Sequence, residues 1–349
     1  MKKLSVIGHF GFGKSLLNGQ TIKTKILTDE LARIYGEKQI HRYDTHGGWR
    51  YLIKMPFVLC HALAFSKTVI MMPAYKGIRL ITPFLYAYNK LFHRQLIYIV
   101  IGGWLPKMLH SSRYLRSMLR HWDHVLVETE CMKEELELMG LDNITIMPNC
   151  KRLNIIDHPA YHEKQLRLCT FSRVMKEKGI EDAINAVCMA NKTLGYEAFT
   201  LDIYGQIDAG QKRWFEQLSD RFPSYIHYKG CIAYDDSVSV LSNHFALLFP
   251  TQFPNEGFAG TILDAFASGL PVLATDCRSN RLIIREGHTG FLFPVKSPKA
   301  ISQLLIHIAH DPAIVEKMRN ECTAEARKYQ PEVVIQTLTR LIDGYQGLS

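Results

Sequence analysis

The sequence contains no acidic residue between Asp44 and Asp123. The same stretch carries eleven cations, which are Arg50, Lys54, Lys67, Lys76, Arg79, Lys90, Arg94, Lys107, Arg113, Arg116 and Arg120. Residues 1–150 have a net charge of +9, which is the whole excess of the chain. This asymmetry favours an anionic partner for the first half. No nucleic-acid recognition motif accompanies it, which argues against a nucleic-acid binder.

The eight cysteines form no Cys-x-x-Cys pair, and no cysteine–histidine cluster has zinc spacing. They are typical of reduced thiols in a cytoplasmic protein. Apolar stretches without charge run to about a dozen residues, whereas a membrane span needs about 20. The apolar run in Met1–Gly8 is too short for a signal peptide and predicts a first strand. Asp-x-Asp is also absent, so we expect neither a metal on a diphosphate nor another cofactor.

Short β-type runs alternate with amphipathic helical patterns. The predicted strands of the first half are Leu4–Gly8, Gln39–Asp44, Thr68–Pro73, Leu96–Ile101, His124–Glu128 and Ile144–Pro148. Those of the second half are Arg167–Ser172, Phe199–Tyr204, Tyr225–Lys229, Ala246–Pro250 and Pro271–Thr275. Strands separated by helices indicate βαβ units, so we predict an α/β protein with two doubly wound domains.

A polar segment between Asn149 and Gln165 separates the two halves, and Asp157-His158-Pro159 within it breaks regular structure. We therefore expect one domain at residues 1–160 and a second at residues 161–330. The last helical pattern lies within residues 331–349, beyond the final strand. It is expected to pack back on the first domain.

A glycine-rich turn, Gly8-His9-Phe10-Gly11-Phe12-Gly13-Lys14-Ser15, follows the first predicted strand and matches the P-loop pattern. A P-loop needs a helix that begins at its Lys-Ser, but the helical periodicity starts later, near Asn18-Gly19. No carboxylate follows the strands that would supply a Walker B residue. We favour a turn whose glycines, including Gly13 and Gly19, bring the backbone close to a diphosphate. A P-loop NTPase stays open as an alternative.

Residues 253–272 read FPNEGFAGTILDAFASGLPV and combine a loop, a short helix and the start of a strand. A helix that starts near Phe258 directs its first amides and positive dipole end at the loop, which suits an anion. Glu256 lies in the mouth of the loop, and Asp264 lies about 9 Å along the helix. Carboxylates at that separation suit two hydroxyl-bearing groups with a diphosphate between them. A capping acid and a solvated aspartate explain the same spacing.

Residues 170–179 end a predicted strand and bring Arg173 and Lys178 to the carboxyl edge of the sheet. Open α/β sheets bind their ligands at this edge. A guanidinium group and an ammonium group there suit a diphosphate. The alternative is a pair of surface cations without a ligand.

These motifs occur in a fixed order. Ser-Arg-x4-Lys-Gly is followed by a strand that ends at Gly205, then by Glu-Gly-Phe-x5-Asp-Ala-Phe-Ala-Ser-Gly-x-Pro-Val, then by Gly-His-x-Gly-Phe from Gly287. In this combination, over residues 165–312, the sequence resembles glycosyltransferase family 4, whose members are retaining group 1 enzymes. The resemblance implies the GT-B fold, in which two Rossmann-like domains face a central cleft. The first domain would take the acceptor and the second the nucleotide-sugar.

The resemblance also implies roles for single residues. Arg173 and Lys178 would bind the donor diphosphate and stabilise the leaving group. Glu256 would contact hydroxyls of the transferred sugar, which makes these three the expected catalytic residues. Asp264 stands where the family usually has Glu and would bind the ribose hydroxyls. The amides that would hold phosphate belong to Gly257, Phe258, Ala259, Gly260 and Thr261.

The expected reaction is metal-independent transfer of a hexose or related sugar from a nucleotide-sugar, UDP- before GDP-, to a saccharide acceptor. Arg113, Arg116 and Arg120 recur at helical spacing beside apolar residues, which suits the headgroups of an anionic membrane. Together with the lipid-linked substrates of the family, this predicts a peripheral enzyme at the inner face of the plasma membrane. It would extend a polysaccharide or lipopolysaccharide precursor. A GT-B-like sugar-nucleotide epimerase and, for the cations, a solvated basic face remain alternatives.

Overall fold

The computed structural model describes residues 2–13, 19–46, 49–73, 75–161, 163–253 and 256–345. The chain divides into two compact units. Unit 1 comprises Met1–Arg152 and Tyr329–Ser349, and unit 2 comprises Leu153–Lys328. Each unit contains a parallel six-stranded sheet with helices packed on it, as the alternation of strand and helix patterns predicts.

The sheet of unit 1 has the strand order β2-β1-β3-β4-β5-β6. Its strands are β1 (Lys2–Gly8), β2 (Ile40–Asp44), β3 (Ser66–Met72), β4 (Gln95–Ile99), β5 (His124–Val127) and β6 (Ile144–Ile146). The helices between them are α1 (Gly19–Tyr35), α2 (Trp49–Phe65), α3 (Tyr75–Phe92), α4 (Leu105–Ser111), α5 (Arg113–Leu119) and α6 (Glu130–Leu138). One apolar core layer packs the helices from α2 through α6 against one face of the sheet. A second apolar layer packs α1 against the other face of the sheet.

The sheet of unit 2 has the strand order β12-β11-β10-β7-β8-β9. Its strands are β7 (Leu166–Phe171), β8 (Phe199–Tyr204), β9 (Ile226–Gly230), β10 (Ala246–Phe249), β11 (Val272–Thr275) and β12 (Gly290–Phe293). Its helices are α7 (Ile180–Leu194), α8 (Lys212–Ser219), α9 (Ser237–Leu241), α10 (Gly260–Ala267), α11 (Arg278–Arg281), α12 (Pro298–His310), α13 (Ala313–Glu316) and α14 (Arg319–Arg327).

The last helix, α15 (Pro331–Asp343), returns to unit 1 and packs against α1. Its apolar stripe enters the core layer that contains Leu27 and Leu31 of α1. The Tyr35 hydroxyl donates to the Asp343 carboxylate over 3.0 Å, and the Gln95 amide donates to the Leu341 carbonyl over 2.8 Å. The final helix is therefore part of the first structural unit.

The direction in which strands are added reverses once in each sheet. In unit 1 the reversal lies between β1 and β3, and in unit 2 it lies between β7 and β10. Loops that leave the carboxyl ends of such strand pairs diverge and open a crevice, where α/β proteins bind ligands. The fold therefore points to the loops after β1 and β3 and to the loops after β7 and β10.

All eleven predicted strands are confirmed to within a few residues, but β12 was not predicted. It is only four residues long and begins with Gly290, a residue that usually weakens a strand pattern. A Cβ at Gly290 would lie 1.9 Å from the Val272 carbonyl oxygen of the neighbouring strand. The close approach of the two backbones therefore requires glycine at this position. The same glycine weakens the strand pattern in the sequence, which is why the strand was not predicted.

The predicted membrane face on α5 is wrong in one respect. Of the four apolar residues that the sequence placed beside the arginines, Leu109 of α4 and Leu115 and Leu119 of α5 are buried in the core of unit 1, and Met118 is half-buried. The apolar stripe of this basic helix packs on its own sheet and is not available to lipid. Among the described residues, no helix is both long and apolar enough to cross a membrane.

Candidate active site

Two loops meet at the strand reversal of unit 2: the β7 loop (residues 172–179) and the β10 loop (residues 250–259, described except for 254 and 255). Gly179 has a left-handed backbone (φ 70°), and a Cβ there would lie 2.0 Å from the Pro250 carbonyl oxygen. The backbone N–H of Gln252 donates to the backbone carbonyl of Glu177 over 2.7 Å. Only glycine permits this approach, so the two loops form one packed surface.

An ion pair between Lys178 and Glu256 joins the two loops. Each side chain is 14% exposed, so the pair is largely withdrawn from solvent yet still reachable. The Thr251 hydroxyl donates to the same Glu256 oxygen over 2.8 Å, and the Lys178 ammonium lies 5.1 Å from the centre of the Phe253 ring. The structure thus brings two of the three predicted catalytic side chains together.

Arg173 lies in the β7 loop with its side chain 63% exposed. Its guanidinium group is 3.6 Å from the Asp208 carboxylate, a loose contact in solvent. The backbone below it is tightly fixed, because a Cβ at Gly205 would lie 1.8 Å from the Ser172 carbonyl oxygen. The third predicted catalytic residue is therefore an exposed cation on a rigid support, which suits it to an incoming anion.

Helix α10 follows the β10 loop and begins at Gly260, two residues later than predicted. Ala259 is extended, and among the described residues no side chain caps this N-terminus. The Thr261 hydroxyl donates to the carbonyl of Phe171, the last residue of β7, over 2.9 Å. This bond holds the first turn of α10 at the strand reversal, so the positive end of the helix lies at the same edge as Lys178.

Asp264 is 3% exposed and accepts a hydrogen bond of 2.7 Å from the Ser237 hydroxyl. Because α10 begins at Gly260, Asp264 lies about 6 Å along the helix, and the expected distance of about 9 Å is wrong. A solvated aspartate is also excluded by its burial. Its contact with ribose hydroxyls stays a prediction.

The match to known proteins agrees with this geometry. A profile of the family described as "Glycosyl transferases group 1" matches residues 152–329, which is just over half of the chain. This chain belongs to the group 1 glycosyl transferases. The matched residues include both loops and α10.

Relatives of this glycosyl transferase have related descriptions. The GtfA subunit of the UDP-N-acetylglucosamine–peptide N-acetylglucosaminyltransferase of Streptococcus gordonii is 29% identical over 204 residues, which are 56% of this chain and 37% of the relative. The amylovoran biosynthesis glycosyltransferase AmsK of Erwinia amylovora is 22% identical over 217 residues, which are 60% of this chain and 51% of the relative. The chain thus spans about half or less of the length of these curated relatives.

A solved structure extends the likeness to both units. Anabaena HepE in complex with UDP has a TM-score of 0.75 at 13% identity, with 98% of this chain and 100% of that chain covered. At this identity the likeness concerns the fold. This glycosyl transferase therefore has the GT-B fold, with two Rossmann-like domains.

The glycine-rich turn of unit 1 holds a carboxylate of the chain itself. The backbone N–H groups of Phe10 and Phe12 each donate to Asp44 over 2.9 Å, and so does that of His46. Burial opposes ionisation of Asp44, but these donors outweigh it and lower its pKa. Lys14 and Ser15 lie outside the described residues, and the approach of Gly13 and Gly19 to a diphosphate stays a prediction.

Sequence reasoning missed several residues of these edges. Thr251 and Ser237 orient the two predicted carboxylates, and each is a common polar residue without a distinctive spacing. In unit 1 it missed the contact between His9 and His46, which are 37 positions apart. Their one sequence signal is that each follows closely on the end of a predicted strand.

Proposed function

We propose that this protein is a retaining glycosyltransferase of family 4 that moves a hexose or related sugar from a nucleotide-sugar to a saccharide acceptor. UDP is favoured over GDP as the carrier, because GtfA is named for UDP-N-acetylglucosamine and the HepE structure contains UDP. The observation that carries the proposal is the joining of Lys178 and Glu256 at the strand reversal, beside the N-terminus of α10.

The charges of this site match those of the reaction. When a sugar–diphosphate bond breaks, negative charge develops on the diphosphate and positive charge on the anomeric carbon. Arg173, Lys178 and the amides from Gly257 to Thr261 supply fixed positive charge for the leaving group. Glu256 supplies an acceptor for sugar hydroxyls. These groups balance the diphosphate charge without a metal, so EDTA is expected to leave the activity intact.

The ion pair has to rearrange when the donor binds. Lys178 and Glu256 neutralise one another in the structure, and the donor offers each a better partner. The diphosphate carries more negative charge than one carboxylate, and the sugar hydroxyls can donate to Glu256. Donor binding is therefore an exchange of partners within a preformed site, which avoids leaving either charge unpaired.

We also propose that the acceptor is a lipid-linked saccharide and that unit 1 takes it at an anionic membrane. Support comes from α2 and α3, which pack side by side and expose apolar residues on their outer sides. Ile53 and Phe57 of α2 and Leu80 and Phe84 of α3 are exposed at i, i+4 spacing. No acidic residue interrupts this part of the chain, and its cations suit an anionic surface.

The process served would be synthesis of a cell-surface polysaccharide or lipopolysaccharide. The relative AmsK is named for the biosynthesis of amylovoran, which supports the polysaccharide side of this proposal. The location that follows is the inner face of the plasma membrane. Extension of a lipid-bound precursor there would keep enzyme and acceptor on one surface.

A screen of nucleotide-sugars tests the proposal. UDP- and GDP-sugars are added to the chain, thermal shift reports binding, and release of nucleoside diphosphate is followed with and without acceptor extracts. Stabilisation by one nucleotide-sugar and acceptor-dependent release support the transferase. Acceptor-independent release with conversion of the sugar identifies the epimerase, and stabilisation by ATP alone identifies the NTPase.

A further inference from the structure

The loops at the strand reversal of unit 1 hold two histidines that the proposed donor site does not use. His9 is the first residue after β1, and His46 lies two residues after the end of β2. Asp44 ties the two loops together, since it accepts from the backbone N–H groups of Phe10, Phe12 and His46. The histidines therefore lie on a fixed frame at the edge where α/β sheets bind ligands.

The two imidazoles and a threonine form a hydrogen-bonded chain. Thr21 Oγ1 is 2.7 Å from His9 Nδ1, and His9 Nε2 is 3.0 Å from His46 Nδ1. The rings meet edge to face with their centres 5.0 Å apart. In the part of the chain that the structure describes, nothing is bonded to His46 Nε2. These contacts thus link the buried Thr21 through His9 to a ring nitrogen of His46 that has no partner among the described residues.

The hydrogen bond between the two rings needs a proton on one nitrogen and a free lone pair on the other. If both rings were protonated this hydrogen bond would break, so the bonded pair cannot carry two charges. Burial lowers the pKa of His9, the neighbouring His46 lowers it further, and Asp44 partly offsets both. A neutral His9 is therefore favoured. When His9 donates to Thr21 and His46 donates to His9, His46 Nε2 is left as a hydrogen-bond acceptor.

An exposed aromatic ring lies in the same loop. Phe12 is 58% exposed, and it stacks on the buried Phe10 with ring centres 5.2 Å apart and planes within 10°. Its backbone is held by the Asp44 carboxylate that also holds His46. A supported apolar ring face near an oriented polar group suits a sugar, whose ring has one apolar face and a rim of hydroxyls.

We propose that Phe12 and His46 form the saccharide subsite of unit 1, where a sugar ring of the acceptor stacks on Phe12 and one hydroxyl donates to His46 Nε2. His9 and Thr21 are positioning residues that set the tautomer of His46. The identification of this sugar as the acceptor rests on the proposed function. The binding of a saccharide does not, and it is measured without a donor.

The test uses the full chain and methyl β-D-glucopyranoside as the probe, with binding followed by saturation-transfer NMR. Phe12→Ala and His46→Phe are each expected to weaken binding about fivefold, the scale for one aromatic contact or one hydrogen bond. Thr21→Val is expected to weaken binding and Thr21→Ser to restore it.

His110→Phe, at an exposed histidine of α4, serves as the matched control and is expected to bind as the wild type does. No binding by the wild type, or unchanged binding by both Phe12→Ala and His46→Phe, overturns the subsite. Equal binding by Thr21→Val and Thr21→Ser overturns the positioning role. UDP binding is measured on the same samples. Its absence from the wild type would contradict the proposed donor site while the saccharide result still stands.

Discussion

Lys178 and Glu256 form an ion pair across the reversal point of the second sheet. The two residues are 78 positions apart, and each follows one of the two strands that flank the reversal. A cation for a diphosphate and a carboxylate for sugar hydroxyls are thereby placed side by side before any ligand arrives. This preorganisation is the basis of the proposed transferase site.

Removal of either predicted phosphate ligand is expected to slow transfer. Arg173→Ala and Lys178→Ala should each lower kcat on the identified donor by on the order of 10²-fold, the scale for one preorganised donor. Arg173→Ala should keep the stability of the wild type because that side chain is mostly exposed. Steady-state kinetics measure both variants, with Lys212→Ala, an exposed lysine of unit 2, as control. Wild-type kcat in both variants would refute the phosphate assignment.

The carboxylates of Glu256 and Asp264 are expected to have different functions in the donor site. Glu256→Gln should impair transfer more than UDP binding, because the glutamine no longer binds sugar hydroxyls as an anion and Lys178 loses a competitor for phosphate. Asp264→Asn should mainly weaken UDP binding. Because Asp264 is buried against Ser237, it should also lower the free energy of unfolding by about 1–3 kcal/mol. Calorimetry measures UDP binding and kinetic assays measure transfer for both variants. If Glu256→Gln mainly weakened UDP binding and Asp264→Asn mainly slowed transfer, the assigned roles of the two carboxylates would be exchanged.

Gly179→Ala is expected to disrupt the donor site. Alanine in this left-handed position costs about 1–2 kcal/mol, and its Cβ would also collide with the Pro250 carbonyl. Gly195→Ala is the matched control: its φ is +79°, and no described atom lies within 4 Å of the added Cβ. We expect similar backbone strain in both variants but loss of UDP binding in Gly179→Ala alone. Equal UDP affinity in the two variants would show that contact between the loops is dispensable.

Asp44 is expected to make the stability of unit 1 depend on acid pH. Its folded pKa lies below the unfolded value of about 3.9, so the ionised form adds stability that is complete above that value and is lost as the pH falls through the folded pKa. Asp44→Asn should therefore be less stable than the wild type at pH 6, and the gap should narrow at pH 3. Urea unfolding measures it, with the exposed Asp142→Asn as control. A constant gap at both pH values would contradict the account.

The surface of α2 and α3 is expected to bind anionic membranes. Phe57 is 79% exposed, and Phe57→Ser together with Leu80→Ser should abolish co-sedimentation with phosphatidylglycerol liposomes. Leu138→Ser removes an even more exposed apolar side chain from the acidic helix α6 and should have no effect. Binding of the wild type should weaken with salt and fail on neutral lipid. Binding that ignores lipid charge would exclude the electrostatic part of the proposal.

The sequence predicted the fold well because strand and helix periodicities are local. It also predicted the loops of Arg173, Lys178 and Glu256, since all three follow strand ends. It placed the start of α10 too early, because Phe258 and Ala259 bury their side chains without joining the helix. The periodicity of apolar residues indicates which side chains are buried, and here the buried side chains begin before the first residue of the helix.

Contacts made by the pairing of distant strands were beyond sequence reasoning. The chain of Thr21, His9 and His46 exists because β1 pairs with β2, with Gly8 beside Asp44 in the register. For the basic helix α5 the error is the opposite one, because the sequence predicted a contact that the structure does not show. Its leucines looked like a membrane face because a helical stripe looks the same whether it meets lipid or its own sheet.

Calorimetry of UDP binding tests the central claim most directly. The samples are the wild type, the Arg173→Ala/Lys178→Ala double variant and Lys14→Ala. If the donor diphosphate binds between the β7 and β10 loops, the double variant should lose at least about 100-fold in affinity, because two charge-assisted hydrogen bonds together contribute about 3 kcal/mol or more, and Lys14→Ala should bind as the wild type does. Wild-type affinity in the double variant, with binding lost in Lys14→Ala, would place the phosphates at the glycine-rich turn of unit 1 and contradict the account.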